Sequence, residues 1–453
     1  MSSAPIAPEE TAAAASAAVE ASENPSELSA AGQPTGPPTG PAAAVHILKK
    51  ILGSSAHASS LSAADTATAK AALSWAEELD TRWSAPKFSD GAPLAKTLSN
   101  APDLPADMIG DMLVLDFDLK RVTSLEGVGT ALALPRVARA IFNHYDFMST
   151  LKTDPATFIQ WSCAIAAAYR PSNPYHNQVH AADVMLTSNS YVIAAGIGEK
   201  LSPMERALLL VGAIIHDVGH PGRMNPYLAQ TEPELALTYR HAPGLLEAFH
   251  AETGLAITRR QGQNILAGLD GDEYKAAHKT IVDLVLATDL SQQGIVLGQW
   301  KGRKDAETGA YDLDLDASPD DRMLVMKMII KAADVSNPAK SLAVYRDWTD
   351  AIMTEFYAQG DEERDLGMPV SAMPQCDRTK PQLAGGQIGF IMFVVKPIFA
   401  GLVDYFPSLQ ATIDNLDSNT EFWKAIKGRE DISEEGLCIP SDLPDFVWSY
   451  PDW

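Results

Sequence analysis

From about residue 105 onward, apolar residues recur with the spacing of an α-helix, and sustained alternation with period two is scarce. The clearest segments of this kind are 137–147, 156–169, 191–197, 283–289, 321–334, 348–357 and 388–399. Two helix starts are signalled explicitly, by Ser202-Pro203-Met204-Glu205 and by Ser318-Pro319-Asp320-Asp321. Each places a capping serine before a proline at the first helical position, with an acidic residue in the first turn. The pattern predicts an all-α fold for a domain over residues 105–430.

The segments outside that domain differ from it in composition. Residues 1–44 consist mainly of alanine, proline, serine, glutamate and glycine, and the chain has no lysine or arginine before Lys49. Such a segment buries too little apolar surface to offset the entropy of ordering it, so disorder is predicted. Residues 45–104 are predicted as a partly helical extension, whose basic stretch 45–52 could pack on the domain, bind a regulator or touch a membrane. Residues 431–453 form an acidic tail with several aromatic residues.

Charge and cysteine content narrow the function classes. The formal net charge of −23 argues against a nucleic-acid partner or an anionic membrane surface, although bound divalent cations would still let the protein hold a phosphate. Three cysteines without paired spacing predict neither a disulfide framework nor a cysteine metal site. The longest apolar run, 207–215, is too short to cross a bilayer, and no signal or transit peptide is recognisable. A cytoplasmic protein without a membrane span is expected.

One short window concentrates potential metal ligands, namely His176, His180, His216 and His220. His176 and His180 are four residues apart, so on a helix they would share one face. His216 is followed directly by Asp217, and a later Asp334 ends an apolar helical segment. Imidazole and carboxylate ligands suit zinc, and carboxylates also suit magnesium. A histidine pair alone has an equally good explanation in packing, but the combined set indicates a metal-dependent phosphohydrolase.

Five motifs occur in order between about residues 115 and 425. They are Y-H-N-x-x-H-A-x-D-V at 175–184, H-D-x-x-H-P-G-x-x-N at 216–225, A-D-V-S-N-P at 333–338, E-F-Y-A-Q-G-D at 355–361 and Q-I-G-F at 387–390. In these motifs the chain resembles the class I 3′,5′-cyclic nucleotide phosphodiesterases. Through S-N-P-A-K-S-L-A-V-Y-R-D-W-T at 336–349 it is most similar to the cAMP-selective branches. The resemblance implies a compact, all-helical catalytic domain that hydrolyses a cyclic nucleotide to the 5′-monophosphate.

The resemblance also implies which residues would perform the chemistry. The tighter metal ion, expected to be Zn²⁺, would be held by His180, His216, Asp217 and Asp334. Asp217 would also reach a second ion, Mg²⁺ or Mn²⁺, and a hydroxide bridging the two ions would attack phosphorus. His176 matches the family's general acid, which protonates O3′, although spacing alone does not separate it from His180. Positions that orient the ligands and bound waters are matched by His220, Glu247 and Thr288.

The residues that the resemblance assigns to substrate binding are Gln387, Phe390, Ile352, Asn337, Tyr345 and Asn225. Gln387 matches the glutamine that hydrogen-bonds the purine edge, and Phe390 and Ile352 match the apolar pair that sandwiches the ring. Asn337 matches a position that favours adenine, because an amide offers the donor and the acceptor that N7 and N6 require. For Asn225, a role in forming its own turn remains an alternative.

Several positions depart from the family pattern. Gly219 stands in place of an acid, and Gln293 stands in place of a histidine near the second metal. Residues 239–250 contain one extra residue, and the loop at 371–377 is lengthened. These departures bear on the affinity for the second metal and on the nucleotide preference.

Three other functions remain as alternatives. The first is dual hydrolysis of cAMP and cGMP. The second is another His-Asp phosphohydrolase acting on a nucleotide monophosphate or triphosphate, which would not explain the context of Gln387 and Phe390. The third is a catalytically weak protein that binds cyclic nucleotides for regulation, against which the retained metal ligands and His176 argue. The oligomeric state and any regulatory partner stay open.

Overall fold

The computed structural model describes residues 89–125, 129–231, 235, 238–239, 244–370, 376–379, 382–428, 431–433 and 436–438. All of them fall within the unit formed by residues 88–453. The expectations for residues 1–44, for the basic stretch 45–52, for residues 371–375 and for the tail after residue 438 lie outside this described part of the chain.

The described helices have the following order and bounds along the chain. They are α1 (Ala92–Asn100), α2 (Ala106–Asp111), α3 (Lys120–Thr123), α4 (Ala133–His144), α5 (Phe147–Thr150), α6 (Pro155–Ala168), α7 (Gln178–Ala194), α8 (Pro203–Ile215), α9 (Asn225–Thr231), α10 (Leu245–Thr258), α11 (Gly271–Leu286), α12 (Gln293–Lys301), α13 (Pro319–Asp334), α14 (Leu342–Asp365), α15 (Leu383–Phe390), α16 (Lys396–Tyr405) and α17 (Gln410–Ile426). Single 3₁₀ turns occur at Thr130–Leu132, Leu290–Gln292, Asn337–Ala339 and Pro407–Leu409, and a π-helical turn, Ile391–Val395, joins α15 to α16.

Two three-residue strands follow the last helix. They are β1 (Asp431–Ser433) and β2 (Gly436–Cys438), and they pair antiparallel with Asp431 opposite Cys438. The all-α prediction is confirmed for the domain, to which this hairpin adds a minor element.

Side-chain caps set where the site-bearing helices begin. The Ser202 hydroxyl accepts a hydrogen bond from the Glu205 N–H, and the Glu205 carboxylate accepts one from the Ser202 N–H, which completes a capping box on α8. The Ser318 hydroxyl accepts the Asp321 N–H at the start of α13. Both predicted helix starts are therefore confirmed, and each cap contributes about 1 kcal/mol.

Helix α7 is the central element of the domain. It contacts α4, α8 and α13, and α8 in turn contacts α11. Residues from His180 to Val192 are buried around the whole circumference of α7. A helix buried on every face belongs to the interior of a protein. Because α8 and α13 both pack on α7, the ends of these three helices lie close together.

Helix α1 packs on α6, although its residues were predicted to belong to the extension. Ala95 and Leu98 are fully buried in the main hydrophobic core. Gly91, with φ +71°, lies so close to α6 that a Cβ atom would be 2.5 Å from the Cys163 backbone. Glycine takes this left-handed conformation without a steric penalty. We therefore propose that the folded domain begins near residue 88 rather than at residue 105.

Within the residues that the structure describes, one helical stretch has the length and apolar character of a membrane span. Leu383–Tyr405 comprises α15, the π turn and α16, and has a mean hydropathy of 1.8. Leu383 and Phe399 are buried in the main core, and α15 contacts α17. The bent pair Gly271–Leu286 and Leu290–Lys301 passes the same test only if counted as one broken span. Only 39% of this apolar window is buried and Phe393 is 82% exposed, so core packing accounts for part of its apolar character.

Truncation of a core side chain on α1 tests the proposed boundary. Leu98→Ala removes a fully buried side chain and should lower the free energy of unfolding by about 2–5 kcal/mol, because a cavity is left in the core. Lys96→Ala, at an exposed position of the same helix, should change it by less than about 0.5 kcal/mol. Urea denaturation followed by circular dichroism measures both. Equal stability of the two variants would exclude α1 from the domain.

Candidate metal centre and substrate pocket

The four residues predicted as metal ligands converge at one point, and they are His180, His216, Asp217 and Asp334. Their ligand atoms all lie within 4.8 Å of one another. Asp334 Oδ1 lies 3.2 Å from Nε2 of both histidines, and Asp217 Oδ2 lies 3.2 Å from His216 Nε2. Two imidazoles and two carboxylates form a donor set that suits zinc and related divalent ions.

Three helix ends place these side chains. His180 lies in the first turn of α7, His216 follows the last residue of α8, and Asp334 is the last residue of α13. The His216 ring is oriented by its Nδ1–H, which donates to the Ala213 carbonyl at 2.8 Å. This hydrogen bond leaves Nε2 to face the other ligands, as is usual for a metal-binding histidine.

The interpretation of His176 and His180 as neighbours on one helix is wrong. Helix α7 begins at Gln178, and the side chain of its N-cap Asn177 accepts hydrogen bonds from the backbone N–H groups of Val179 and His180. An N-cap residue has a non-helical backbone, and Asn177 is extended with φ −131° and ψ −179°. His176 therefore lies in the loop before the helix. The two histidines consequently occupy different environments, which their spacing could not reveal.

The titratable groups of the cluster shift one another's pKa values. Burial disfavours the charged form of His216, but the carboxylates of Asp217 and Asp334 outweigh it and hold the pKa of His216 well above its usual value. Burial alone would raise the pKa of Asp334, but His216 and His180 hold it well below the usual range. The carboxylates thus stabilise a proton on His216 at a position where a divalent cation would replace it. The residues present therefore fit a divalent cation.

His176 is held by Glu355, an acid to which the sequence analysis assigned no role. Its Nδ1 lies 2.6 Å from Glu355 Oε2, and its backbone N–H donates to Glu355 Oε1 at 3.1 Å. Burial lowers the pKa of His176, but the Glu355 carboxylate outweighs this effect and raises the pKa to about 8. At neutral pH the ring therefore carries protons on both nitrogens. Its side chain remains 20% exposed, so it is open to a ligand.

Two further imidazoles stack beside His176. The ring centroid of His220 lies 3.9 Å from that of His176, and the centroid of His250 lies 5.4 Å from that of His220. Burial, together with the charge on His176, holds the pKa of His220 well below its usual value, and burial lowers that of His250 to about 4. His250 Nε2 faces Asp217 Oδ1 at 3.6 Å. Asp217, His220 and His250 thus form a second group of possible ligands.

Glu247 and Asn225 are hydrogen-bonded to each other. Asn225 Nδ2 donates to Glu247 Oε2 at 3.2 Å, and Asn225 Oδ1 accepts the Leu246 N–H at 2.9 Å. Burial and then the charge of Asp289 raise the pKa of Glu247 to about 7. Both ends of the Asn225 amide are thus engaged by α10, so the side chain holds the start of α9 against that helix.

A buried lysine ties the Thr288 segment to α13. The Lys331 ammonium is fully buried and donates to the backbone carbonyls of Ala287, Thr288 and Asp289, at 3.0, 3.3 and 2.8 Å. These carbonyls follow the end of α11, where backbone acceptors lack helical partners. Because Lys331 lies one turn before Asp334, the contact holds Thr288 near the cluster. The Thr288 hydroxyl itself donates to a carbonyl in the last turn of α11.

Two buried amides carry the polar part of the predicted purine pocket. The Tyr345 hydroxyl donates to Gln387 Oε1 at 2.5 Å, and the Tyr175 hydroxyl donates to Asn337 Oδ1 at 2.5 Å. Each tyrosine thereby orients the amide that it contacts. Asn337 Nδ2 is buried and has no hydrogen-bond partner among the described residues, so its two N–H groups are left for a ligand.

The two apolar residues of the predicted pocket lie on different helices. Ile352 is on α14 and Phe390 is the last residue of α15, and both pack on the main core while remaining partly exposed. Gln387 lies three residues before Phe390, so the amide and the ring share one side of α15.

Three residues near the site carried no recognisable signal of their role. Glu355 begins the E-F-Y-A-Q-G-D motif, but only the fold shows that this acid is 3% exposed and faces His176. His250 was obscured by the extra residue within 239–250. Tyr175 begins the Y-H-N motif, and its contact with Asn337 joins positions 162 residues apart.

Two departures from the family pattern have structural explanations. Gly219 has φ +79°, a left-handed conformation that glycine adopts freely and that aspartate tolerates better than most residues. Exchange between these two residues therefore preserves the loop. Gln293 Nε2 donates to the Val394 carbonyl at 3.0 Å, which joins α12 to the π turn. The Gln293 side chain thus connects two helical segments through this hydrogen bond.

Comparison with known proteins agrees with this geometry. The family described as 3′5′-cyclic nucleotide phosphodiesterase matches residues 175–416, a range that contains every predicted site residue. The 3′,5′-cyclic-AMP phosphodiesterase isoform F of Drosophila melanogaster is 32% identical over 295 residues, which are 64% of this chain and 44% of the relative. A second 3′,5′-cyclic-AMP phosphodiesterase of that organism is also 32% identical over 295 residues, which make up 27% of the length of that relative. The chain thus spans less than half the length of these curated relatives.

A solved structure shares the fold. The structure of LmjPDEB1 in complex with IBMX superposes with a TM-score of 0.63 and 28% sequence identity, over 72% of this chain and 99% of that chain. Since the family match covers more than half of the chain and includes the whole ligand cluster, the protein belongs to the 3′,5′-cyclic nucleotide phosphodiesterase family.

Proposed function

We propose that this chain hydrolyses 3′,5′-cyclic nucleotides to 5′-monophosphates in the cytoplasm, with cAMP preferred over cGMP. The observation that carries the proposal is His176, held by Glu355 beside the four-ligand cluster, with its ring centroid 5.9 Å from that of His180. The names of the Drosophila relatives, which are cAMP phosphodiesterases, support the choice of substrate.

The cluster is proposed to hold two divalent ions. The first, zinc, would be held by His180, His216, Asp217 and Asp334, because imidazole is a better ligand for zinc than for magnesium. The second, magnesium or manganese, would share Asp217 and keep most of its waters, as magnesium does in proteins. When bound, the ions supply Lewis acidity at the phosphate and make hydroxide available near neutral pH. The waters and ligands would be oriented by His220, Glu247 and Thr288.

His176 is proposed as the general acid. As the nucleophile's oxygen bonds to phosphorus, the P–O3′ bond breaks, and the proton on His176 Nε2 passes to O3′. Glu355 accepts the hydrogen bond from Nδ1, fixes the ring and keeps it protonated at neutral pH. General acid catalysis of this kind contributes about 10²–10⁴-fold.

The purine is proposed to lie between Ile352 and Phe390 with its edge against Gln387. Adenine presents a donor at N6 beside an acceptor, whereas guanine presents an acceptor at O6 beside a donor, so one amide orientation does not serve both. The bond from Tyr345 opposes rotation of the Gln387 amide. Asn337 Oδ1 accepts from Tyr175, while its Nδ2 lacks a partner among the described residues, so this amide would donate to N7, an acceptor common to both purines. We therefore assign the preference to the Gln387–Tyr345 pair.

Side-by-side initial rates on cAMP and cGMP test this proposal. With magnesium and equal low substrate concentrations, cAMP should react about tenfold faster or more, because the wrong purine leaves buried polar groups unpaired. Tyr345→Phe releases the Gln387 amide and should bring the two rates closer together. Tyr311→Phe, whose hydroxyl bonds Asp404 elsewhere, is the matched control and should preserve the ratio. Equal rates in the unchanged chain would contradict the preference, and no turnover of either by metal-loaded protein would contradict the activity.

The pH dependence of kcat/KM tests the role of Glu355. The raised pKa keeps His176 protonated up to about pH 8, so activity should fall as the pH rises through that value. Glu355→Gln removes the charge that raises this pKa and should move the alkaline limb to lower pH. His176→Ala should lower the rate by about 10²–10⁴-fold and abolish that limb. The exposed Glu421→Gln serves as the control. An alkaline limb unmoved by Glu355→Gln would refute this assignment.

A further inference from the structure

A cavity lies along α7, between Asp183 and Ala194. It has a volume of about 670 Å³ and is formed by residues 113–117, one side of α7, residues 339–342 and the first turns of α17. None of the four candidate metal ligands is among its described lining residues. The volume falls in the range of about 300–1,000 Å³ that is typical of small-molecule sites.

A buried ion pair contributes to the lining of this cavity. The Lys340 ammonium donates to Asp183 Oδ1, and the two side chains are 5% and 2% exposed. The other carboxylate oxygen, Asp183 Oδ2, is buried and has no hydrogen-bond partner within the described part of the chain. A buried polar atom without a partner costs free energy, so a ligand that donates to Asp183 Oδ2 would recover it.

The charge of the lining is unbalanced. Asp116 and Asp414 line the cavity at exposed positions, so three carboxylates accompany the single ammonium of Lys340. Asp116 accepts a backbone N–H from Ser341, and Asp414 accepts from a neighbouring glutamine amide. Neither is paired with a cation among the described ion pairs. The remaining wall is largely apolar and includes Leu113, Leu115, Phe117, Leu186 and Ile193.

We propose that this cavity binds a monocationic amphiphile, a small apolar body that carries one ammonium or amidinium group. The cationic group would donate to Asp183 Oδ2, and the apolar body would cover the wall around Leu186. A neutral analogue would lack the charge that Asp116 and Asp414 attract. An anionic ligand would meet three carboxylates, so the cavity is unsuited to a second cyclic nucleotide.

The cavity borders the segment that follows Asn337. Residues 339–342 line it, and Asn419 Nδ2 fixes this turn by donating to the carbonyls of Pro338 and Lys340, each at 2.8 Å. An occupant would therefore act on the turn that carries Asn337 and would change the KM for the cyclic nucleotide. That consequence rests on the proposed function, whereas binding in the cavity does not.

Calorimetric titration of the full chain with phenethylamine tests the proposal. This probe is an aromatic monocation at neutral pH, and 2-phenylethanol is its neutral counterpart of similar shape. We expect one saturable site that binds the amine about tenfold more tightly or more, as a hydrogen bond to a charged group implies. Asp183→Asn should remove the preference for the amine.

A variant that fills the cavity locates the binding. Ala194→Trp, on the partly exposed wall, leaves the Asp183–Lys340 pair in place and should abolish binding. Ala276→Trp, at an exposed position of α11, is the matched control and should bind as the unchanged chain does. Thermal unfolding verifies that each variant is folded, and Ala194→Trp decides the question if Asp183→Asn does not fold.

Three outcomes would overturn the proposal: no saturable binding of phenethylamine to the unchanged chain, undiminished binding by Ala194→Trp, or equal binding of the alcohol. None of these experiments measures turnover, so a negative result would leave the proposed hydrolysis untouched.

Discussion

The site depends on the placement of two partly exposed carboxylates, Asp217 and Asp334, beside two buried imidazoles. Charges of one sign held this close together are costly unless a proton or a cation neutralises them. Here the carboxylates force a proton onto His216, and a divalent ion would satisfy the same electrostatic demand. The fold brings these side chains together, because the N-terminus of α7 and the C-terminal ends of α8 and α13 meet at the cluster.

The same interior gives neighbouring side chains opposite protonation states. Glu355 raises the pKa of His176, whereas burial lowers that of His220, whose ring stacks directly on it. A proton donor thus lies beside neutral rings of the same residue type, and environment rather than chemistry distinguishes them. The two tyrosine–amide pairs have a comparable effect on the purine pocket, because each tyrosine hydroxyl orients an amide that could otherwise rotate.

Much of this arrangement follows from local sequence, and the remainder does not. The caps at Ser202 and Ser318 were predictable because capping patterns are short-range properties, whereas the convergence of ligands up to 154 residues apart followed from the motifs shared with the family. The position of His176 was mispredicted because an i, i+4 spacing carries no information about where a helix begins. The N-cap of α7 is Asn177, so His176 lies just outside the helix. The partner Glu355 lies 179 residues from His176, so only tertiary packing reveals the contact. The membership of α1 in the core likewise depends on its burial against α6.

The most direct test of this account is zinc affinity as a function of pH, measured on chelator-treated protein by calorimetric titration. If zinc displaces the proton that the carboxylates hold on His216, each ion bound releases at least one proton, and affinity should rise about tenfold for each pH unit below the pKa of His216. Asp334→Asn should weaken binding and reduce the proton release. Weak zinc binding that does not change with pH, or binding that survives the loss of the Asp334 carboxylate, would contradict the account.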